Sequence, residues 1–277
     1  MTGFCWIASY PKSGNTWLRL ALRALVEPGS HPQRLDVTGF APDAAQLIDI
    51  EEALDLESGD LSLTELRNLR PLACRAMAAS ARRPLYRKVH DAWQETANGP
   101  LFPPDVTLGW FYIVRDPRDV AVSWAHFAGG GLEAAVAMLC DPRTVLRVPA
   151  GRPVFSAPQH LSCWSGHVRS WLNAPGRGCV LRYEDLLADP AAALGRVAAH
   201  AGIAATDADI MRAVKATDFA TLRTREISEG FDGGQVADAR FFRSGTAGQW
   251  RNTLPDRLAL KIWSFHQSVM SRFGYGE

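Results

Sequence analysis

Near the start of the chain, Tyr10-Pro11-Lys12-Ser13-Gly14-Asn15-Thr16-Trp17 gathers a lysine, two hydroxyls, an amide and a glycine into eight residues. Phe4–Ser9 ahead of them reads as a buried strand, and Trp17, Leu18, Leu20, Ala21 and Leu25 behind them keep a helical period. A loop between a strand and a helix start turns backbone N–H groups toward the positive end of the helix dipole, which attracts phosphate. Lys12 adds a full charge at that point. The order is not that of a Walker A loop, whose lysine follows the second glycine.

Two further segments carry groups that suit an anion and a proton transfer. In Tyr112-Ile113-Val114-Arg115-Asp116-Pro117-Arg118-Asp119-Val120-Ala121-Val122-Ser123, the apolar run 109–114 reads as a strand buried on both faces. Arg115 stands at its end with a bidentate fork, and Asp116-Pro117 supplies an N-cap and a first-turn proline. The helix that follows brings the Ser123 hydroxyl toward the same place and ends near Gly129-Gly130-Gly131. In Arg87-Lys88-Val89-His90, positions two apart on a strand face the same way, so Lys88 and His90 share one site. A histidine there suits removal of a proton from a hydroxyl.

The elements that must hold these groups alternate along the chain. Strands are expected at 4–9, 84–90, 109–114 and 179–182. Helices are expected after the first and third strands, through Trp164, Val168 and Trp171, and over 255–273. Residues 43–81 read as two or three helices punctuated by Ser58-Gly59 and Pro71, so that 41–81 forms a helical cap region. Residues 226–238, with Gly230, Gly233 and Gly234, read as a mobile loop continuing to 245. Such alternation predicts a single α/β domain over 1–277 with a central parallel sheet flanked by helices.

Composition narrows the function. Thirty Lys+Arg against 29 Asp+Glu leave a formal charge of +1 in 277 residues, so no global field draws nucleic acid or an anionic membrane. Forty-seven per cent hydrophobic and 21% charged residues make an ordinary globular chain. No run approaches a membrane span, and no basic segment precedes an apolar one, so neither a span nor a leader is expected. The cysteines 5, 74, 140, 163 and 179 are odd in number and scattered, which argues against a disulfide framework or a zinc site and for a reducing cytoplasm. Only Lys12, Lys88, Lys215 and Lys261 are lysines, a bias that suggests a GC-rich bacterial genome and singles out the first two.

The octet resembles the P-K-S-G-T-T-W loop of cytosolic-type sulfotransferases, with Asn15 in place of threonine. These enzymes use 3'-phosphoadenosine 5'-phosphosulfate (PAPS) as donor and release the 3',5'-bisphosphate, PAP. The 112–123 segment resembles the second signature of that family, and 87–90 its K-T-H strand with Val89 for threonine. Arg182-Tyr183-Glu184-Asp185-Leu186, Thr217-Asp218-Phe219 and the stretch Phe242-Arg243-Ser244-Gly245-Thr246-Ala247-Gly248-Gln249-Trp250-Arg251-Asn252 follow in family order. Ser244 stands where lysine is common and Gln249 where an acid is common.

The resemblance implies a P-loop kinase-like sulfotransferase fold and transfer of a sulfuryl group to a hydroxyl of a small-molecule or natural-product acceptor. It assigns Lys12, Ser13, Gly14, Asn15 and Thr16 to the phosphosulfate loop. Trp17, Tyr183, Thr217 and Phe219 go to the adenine side, and Arg115, Ser123, Arg243 and the Gly245 backbone, with Phe242 and Ser244 beside them, to the 3'-phosphate side. His90 is the implied base, Lys88 steadies the sulfuryl oxygens, and Lys12 neutralises the leaving phosphate, so no metal is needed. The partners implied are a small hydroxyl acceptor, with no nucleic acid and no membrane, and room for a homo-oligomer. A kinase using ATP and Mg²⁺ and a silent nucleotide-binding relative are the rivals. The first is disfavoured by the loop order and the 3'-phosphate grip, the second by the intact Lys12, Lys88 and His90. The acceptor pocket is expected to be walled by Phe40, Trp93, Phe102, Phe127 and Phe155, with 129–131 and 226–238 as mobile rims.

Overall fold

The computed structural model describes residues 2–29, 35, 39–147, 155–231 and 240–276. The chain opens with β1 (Phe4–Ser9) and α1 (Asn15–Val26), followed by α2 (Leu47–Leu54), α3 (Leu63–Ser80) and β2 (Leu85–Val89). A short ribbon of β3 (Glu95–Thr96) and β4 (Gly99–Pro100) precedes β5 (Thr107–Val114), α4 (Pro117–Ala128) and α5 (Gly131–Cys140). A second ribbon, β6 (Val145–Leu146) with β7 (Gln159–His160), leads to α6 (Trp164–Leu172) and β8 (Gly178–Arg182). The remaining helices are α7 (Tyr183–Ala188), α8 (Pro190–Ala201), α9 (Asp207–Ala216), α10 (Phe219–Glu229), α11 (Trp250–Thr253) and α12 (Asp256–Arg272).

Four strands form a parallel sheet in the order β2-β1-β5-β8. Its two central strands are buried along nearly their whole length because helices cover both faces. The period of two divides β1 between two cores. Phe4, Trp6 and Ala8 pack with Tyr112, Trp164 and Trp171 on one face, and Cys5 and Ile7 pack with Leu18, Leu22 and Phe111 on the other. The chain leaves β1 for β2 on one side and returns to β5 on the other, so a crevice opens between the carboxyl ends of β1 and β5. Open α/β sheets bind ligands at such a switch point.

Beyond β2 the sheet edge is extended by backbone pairing. Lys88 N donates to Pro42 O at 2.8 Å and Ala44 N to Lys88 O at 2.8 Å. The same stretch then pairs with 155–157, through Leu47 N to Phe155 O at 3.0 Å and Ala157 N to Ala45 O at 2.7 Å. Residues 42–47 thereby come to lie beside the segment that leads into β7.

Two expected breaks fall elsewhere, and a third is tighter than expected. Pro71 does not end a helix: α3 runs through it. The turns on either side are held by a Ser62–Glu65 capping box, by burial of Leu66 and Ala73, and by a buried Arg70–Asp91 ion pair at 2.8 Å. These contacts outweigh the roughly 3 kcal/mol that an interior proline costs. Residues 226–229, expected in a mobile loop, are the last turn of α10. Glu226 there accepts from Phe241 N and Phe242 N, fixing the chain at 241–242; residues 232–239 of that expected loop lie outside the described residues. Gly129-Gly130-Gly131 is a tight joint rather than a loose rim, since Gly129 closes α4 in the left-handed region and Gly131 begins α5.

Candidate active site

The turn after β1 is built on two left-handed residues, Lys12 (φ 68°) and Gly14 (φ 103°). Glycine is required at 14, where a Cβ would meet the Tyr183 ring at 2.7 Å. For Lys12 the conformation costs on the order of 1 kcal/mol or more. Arg115, at the end of β5, holds the turn by donating to Lys12 O at 3.0 Å, and it also donates to Thr246 O at 3.0 Å. Its guanidinium lies 4.2 Å over the Tyr183 ring. Asn15 braces the turn from within, its amide donating to Ile7 O at 2.8 Å and Ser9 Oγ at 3.3 Å.

The Lys12 ammonium sits between two rings, 4.2 Å from Phe127 and 4.4 Å from Phe241. Burial, with Arg115 and Arg243 adding repulsion, brings its pKa down to about 8. Among the described residues no carboxylate is paired with Lys12, Arg115 or Arg243. Arg243 is held instead by Gln249, whose side-chain oxygen accepts from it at 2.6 Å. Three cations therefore lie near the start of α1, and among the described residues no carboxylate neutralises them.

These residues line one cavity of about 680 Å³ at the carboxyl ends of β1 and β5. Lys12, Gly14, Asn15, Thr16, Trp17, Arg115, Ser123, Tyr183, Thr217, Phe219, Phe242, Arg243, Ser244 and Gly245 all reach its wall, as do Lys88 and His90. Ser13 alone among the expected site residues does not. It is fully buried under the turn, and among the described residues its hydroxyl has no hydrogen-bond partner. On one side of the cavity Trp17 Nε1 donates to Thr217 O at 2.9 Å, joining α1 to the end of α9. Gly245 (φ 64°) lets the chain pass so close to Phe219 that a Cβ would lie 2.2 Å from the ring.

The other end of the cavity is organised around His90. Its Nδ1 lies 2.8 Å from Ser9 O, and because a carbonyl only accepts, Nδ1 carries the proton and Nε2 keeps a lone pair. Burial and the Lys88 ammonium push the imidazole well below its usual pKa, so the ring is neutral at neutral pH. The backbone is fixed as well. His167 Nε2 donates to His90 O at 3.0 Å, which leaves His167 Nδ1 to accept from Tyr112 OH at 2.9 Å.

Lys88 reaches the cavity with His90, as expected, and is paired there. Its ammonium is 2.7 Å from Asp43 Oδ2, which also accepts from Gln159 Nε2 at 3.3 Å. Gln159 Oε1 in turn accepts from His90 N at 3.2 Å. Burial raises the Asp43 carboxyl, but the charge and hydrogen bond of Lys88 outweigh it and hold the group down to about 2. Asp43 and Gln159 escaped the sequence reading because only pairing across the extended sheet edge brings them to Lys88.

Of the five expected wall aromatics only Phe127 lines the cavity. Phe40 stacks on Tyr86, Trp93 and Phe102 join Trp171 in the core, and Phe155 is 73% exposed. The extended sheet edge supplies Asp43, Gln46, Ser156 and Gln159 in their place.

The family model described as Sulfotransferase domain matches residues 4–274. Cytosolic sulfotransferase 16 of Arabidopsis thaliana is 26% identical over 279 residues, covering 92% of this chain and 72% of the relative. Flavonol 3-sulfotransferase of Flaveria bidentis is 23% identical, covering 92% and 78%. Among solved structures, retinol dehydratase in complex with androsterone and inactive cofactor PAP superposes with a TM-score of 0.64 at 19% identity, over 96% of this chain and 80% of the other. A mouse sulfotransferase complexed with PAP gives 0.60 at 17% identity, over 97% and 85%. These two likenesses establish the fold.

Proposed function

We propose that this chain, which belongs to the sulfotransferase domain family, holds PAPS in the cavity with its phosphates on the Lys12, Arg115 and Arg243 cluster and its transferable group toward His90. A single observation carries the reading: one cavity joins three cations with no carboxylate partner among the described residues to a neutral histidine whose tautomer is fixed. The enzyme is a sulfotransferase, and its relatives, two of them solved with PAP and one named for a flavonol, support this donor and a hydroxyl acceptor.

In this reading the geometry supports the following roles. The acceptor oxygen forms a bond to sulfur as the bond from sulfur to the 5'-phosphate oxygen breaks. The acceptor proton passes to His90 Nε2, and the bonding electrons leave on the phosphate as PAP. Lys12 meets the charge that develops on that phosphate, where preorganised groups contribute most. Lys88, oriented by Asp43, lies beside the transferring group. The turn at 12–16 and Ser123 hold the phosphates, while Trp17, Tyr183, Thr217 and Phe219 enclose the base. Charge neutralisation rests on side chains, so the reading needs no metal ion. With five free thiols and relatives named cytosolic, we place the enzyme in a reducing cytoplasm.

PAP in the presence of a chelator is expected to raise the melting temperature by about 5 °C or more at a hundredfold excess over its Kd. AMP, which lacks the 3'-phosphate, is expected to shift it far less, and equal shifts would remove Arg115, Ser123 and Arg243 from a 3'-phosphate site. Gly245→Ala tests the adenine side. A Cβ there must displace Phe219, so PAP affinity is expected to fall by about tenfold or more while the fold persists. Unchanged affinity by calorimetry would take Phe219 out of the site.

A further inference from the structure

We infer that the acceptor is a polyhydroxylated molecule, a glycoside or cyclitol whose reacting hydroxyl is flanked by others, rather than an apolar phenol or sterol. The inference rests on the sulfotransferase reading above and deepens it. It comes from the edge extension of the sheet, where 42–44 pair with Lys88 and 155–157 pair in turn with 45–47.

That edge brings polar side chains to the His90 end of the cavity, and several have hydrogen-bonding capacity left over. Gln46 and Ser156 are paired through their backbones, and both line the cavity. Among the described residues neither side chain has a hydrogen-bond partner. The same holds for Arg147, which follows Leu146 where β6 pairs with β7 at Gln159. Asp43 accepts from Ala45 N, Lys88 and Gln159, and a carboxylate has about four acceptor sites, so one remains. Trp124, Phe127 and Leu146 add apolar surface to the same cavity.

An apolar ring seated here would strip water from the half-buried Gln46 amide and Ser156 hydroxyl and give nothing back. Leaving one such group unpaired costs about ten- to a hundredfold in kcat/KM. A sugar or cyclitol presents hydroxyls that both donate and accept on its edge and C–H groups on its faces, which matches a wall of Gln46, Ser156 and Arg147 beside Trp124. The transfer is unchanged by this choice: the hydroxyl becomes a sulfate monoester, its proton goes to His90, and PAP departs.

The test compares 4-nitrophenyl β-D-glucoside, whose phenol is blocked, with 2-naphthol, using PAPS as donor and the full chain. We expect kcat/KM for the glucoside to exceed that for naphthol by about a hundredfold. In Gln46→Leu the glucoside-to-naphthol ratio should fall by about tenfold, with stabilisation by PAP retained as the check on folding. Preference for naphthol, turnover of neither acceptor by a protein that PAP stabilises, or a ratio unmoved in Gln46→Leu would each overturn the inference and leave the donor reading standing. Absence of stabilisation by PAP in the parent protein would overturn the donor reading, and this inference with it.

Discussion

His90→Ala is expected to lower kcat by about 10²- to 10⁴-fold while PAP binds within about twofold of the parent. The two effects separate because His90 stands at the end of β2 with Nε2 as its only free ring nitrogen, whereas the cations that suit the phosphates come from the turn after β1, the end of β5 and the 243–245 stretch. His90→Gln serves as the second variant, since an amide keeps a donor for Ser9 O but is no base. It should be as slow as the alanine variant and melt closer to the parent. Because burial holds the imidazole well below its usual pKa, the ring stays neutral as pH falls through 6.5. The acid limb of kcat/KM should therefore lie clearly below 6.5, where an unperturbed histidine would put it. A limb at 6.5, or a His90→Gln enzyme with full turnover, would assign the proton to another group.

What was legible in the sequence is what neighbouring residues determine. The apolar run of β5, the Asp116 cap, Pro117 in the first turn and Gly129 at the end of α4 are local signals, and each lies where the residue types place it. The shared facing of Lys88 and His90 followed from strand geometry alone. The reading failed where distant segments decide the outcome. Pro71 stays inside α3 because Arg70 beside it is tied to Asp91. Ser13 sits in a motif of exposed type but is covered once β1, β5 and α1 close around it. Asn15, an open question as a replacement for threonine, turns its amide to the carbonyl of Ile7, a contact that needs the strand and helix already packed.

The acceptor wall failed for the same reason and shows what aromatic residues are for in this chain. Trp93 and Phe102 looked available because they follow His90 closely in sequence. In the folded chain they fill the space between β1 and α6, with Phe102 centred 5.0 Å from Trp6 and 5.2 Å from Trp171. Burial of such rings is worth about 2–3 kcal/mol each to the fold. Beside His90 the sheet edge gives the cavity Asp43, Gln46, Ser156 and Gln159 in place of the rings expected there, and no local pattern in 42–47 or 155–159 announces that pairing.

Loss of the Lys12 charge is the other change expected to cost most, about 10²- to 10³-fold in kcat for Lys12→Met, the range for removing one preorganised group from a developing oxyanion. The argument rests on how the ammonium is kept. It is held by two aromatic faces and, among the described residues, by no carboxylate, so its charge is available to the donor. The same isolation lowers its pKa to about 8, through burial first and then through Arg115 and Arg243. As pH rises through 8 the free enzyme loses this proton and with it a positive charge, so kcat/KM for PAPS should fall by about tenfold per pH unit above that point. Bound phosphates favour the charged amine, which moves the corresponding limb of kcat to higher pH than that of kcat/KM. Lys12→Arg separates charge from proton loss: a guanidinium stays charged throughout, so whatever activity remains should show no limb near 8. A limb that persists near 8 in Lys12→Arg, or its absence from the parent enzyme between pH 7 and 9.5, would mean that Lys12 does not meet the leaving phosphate.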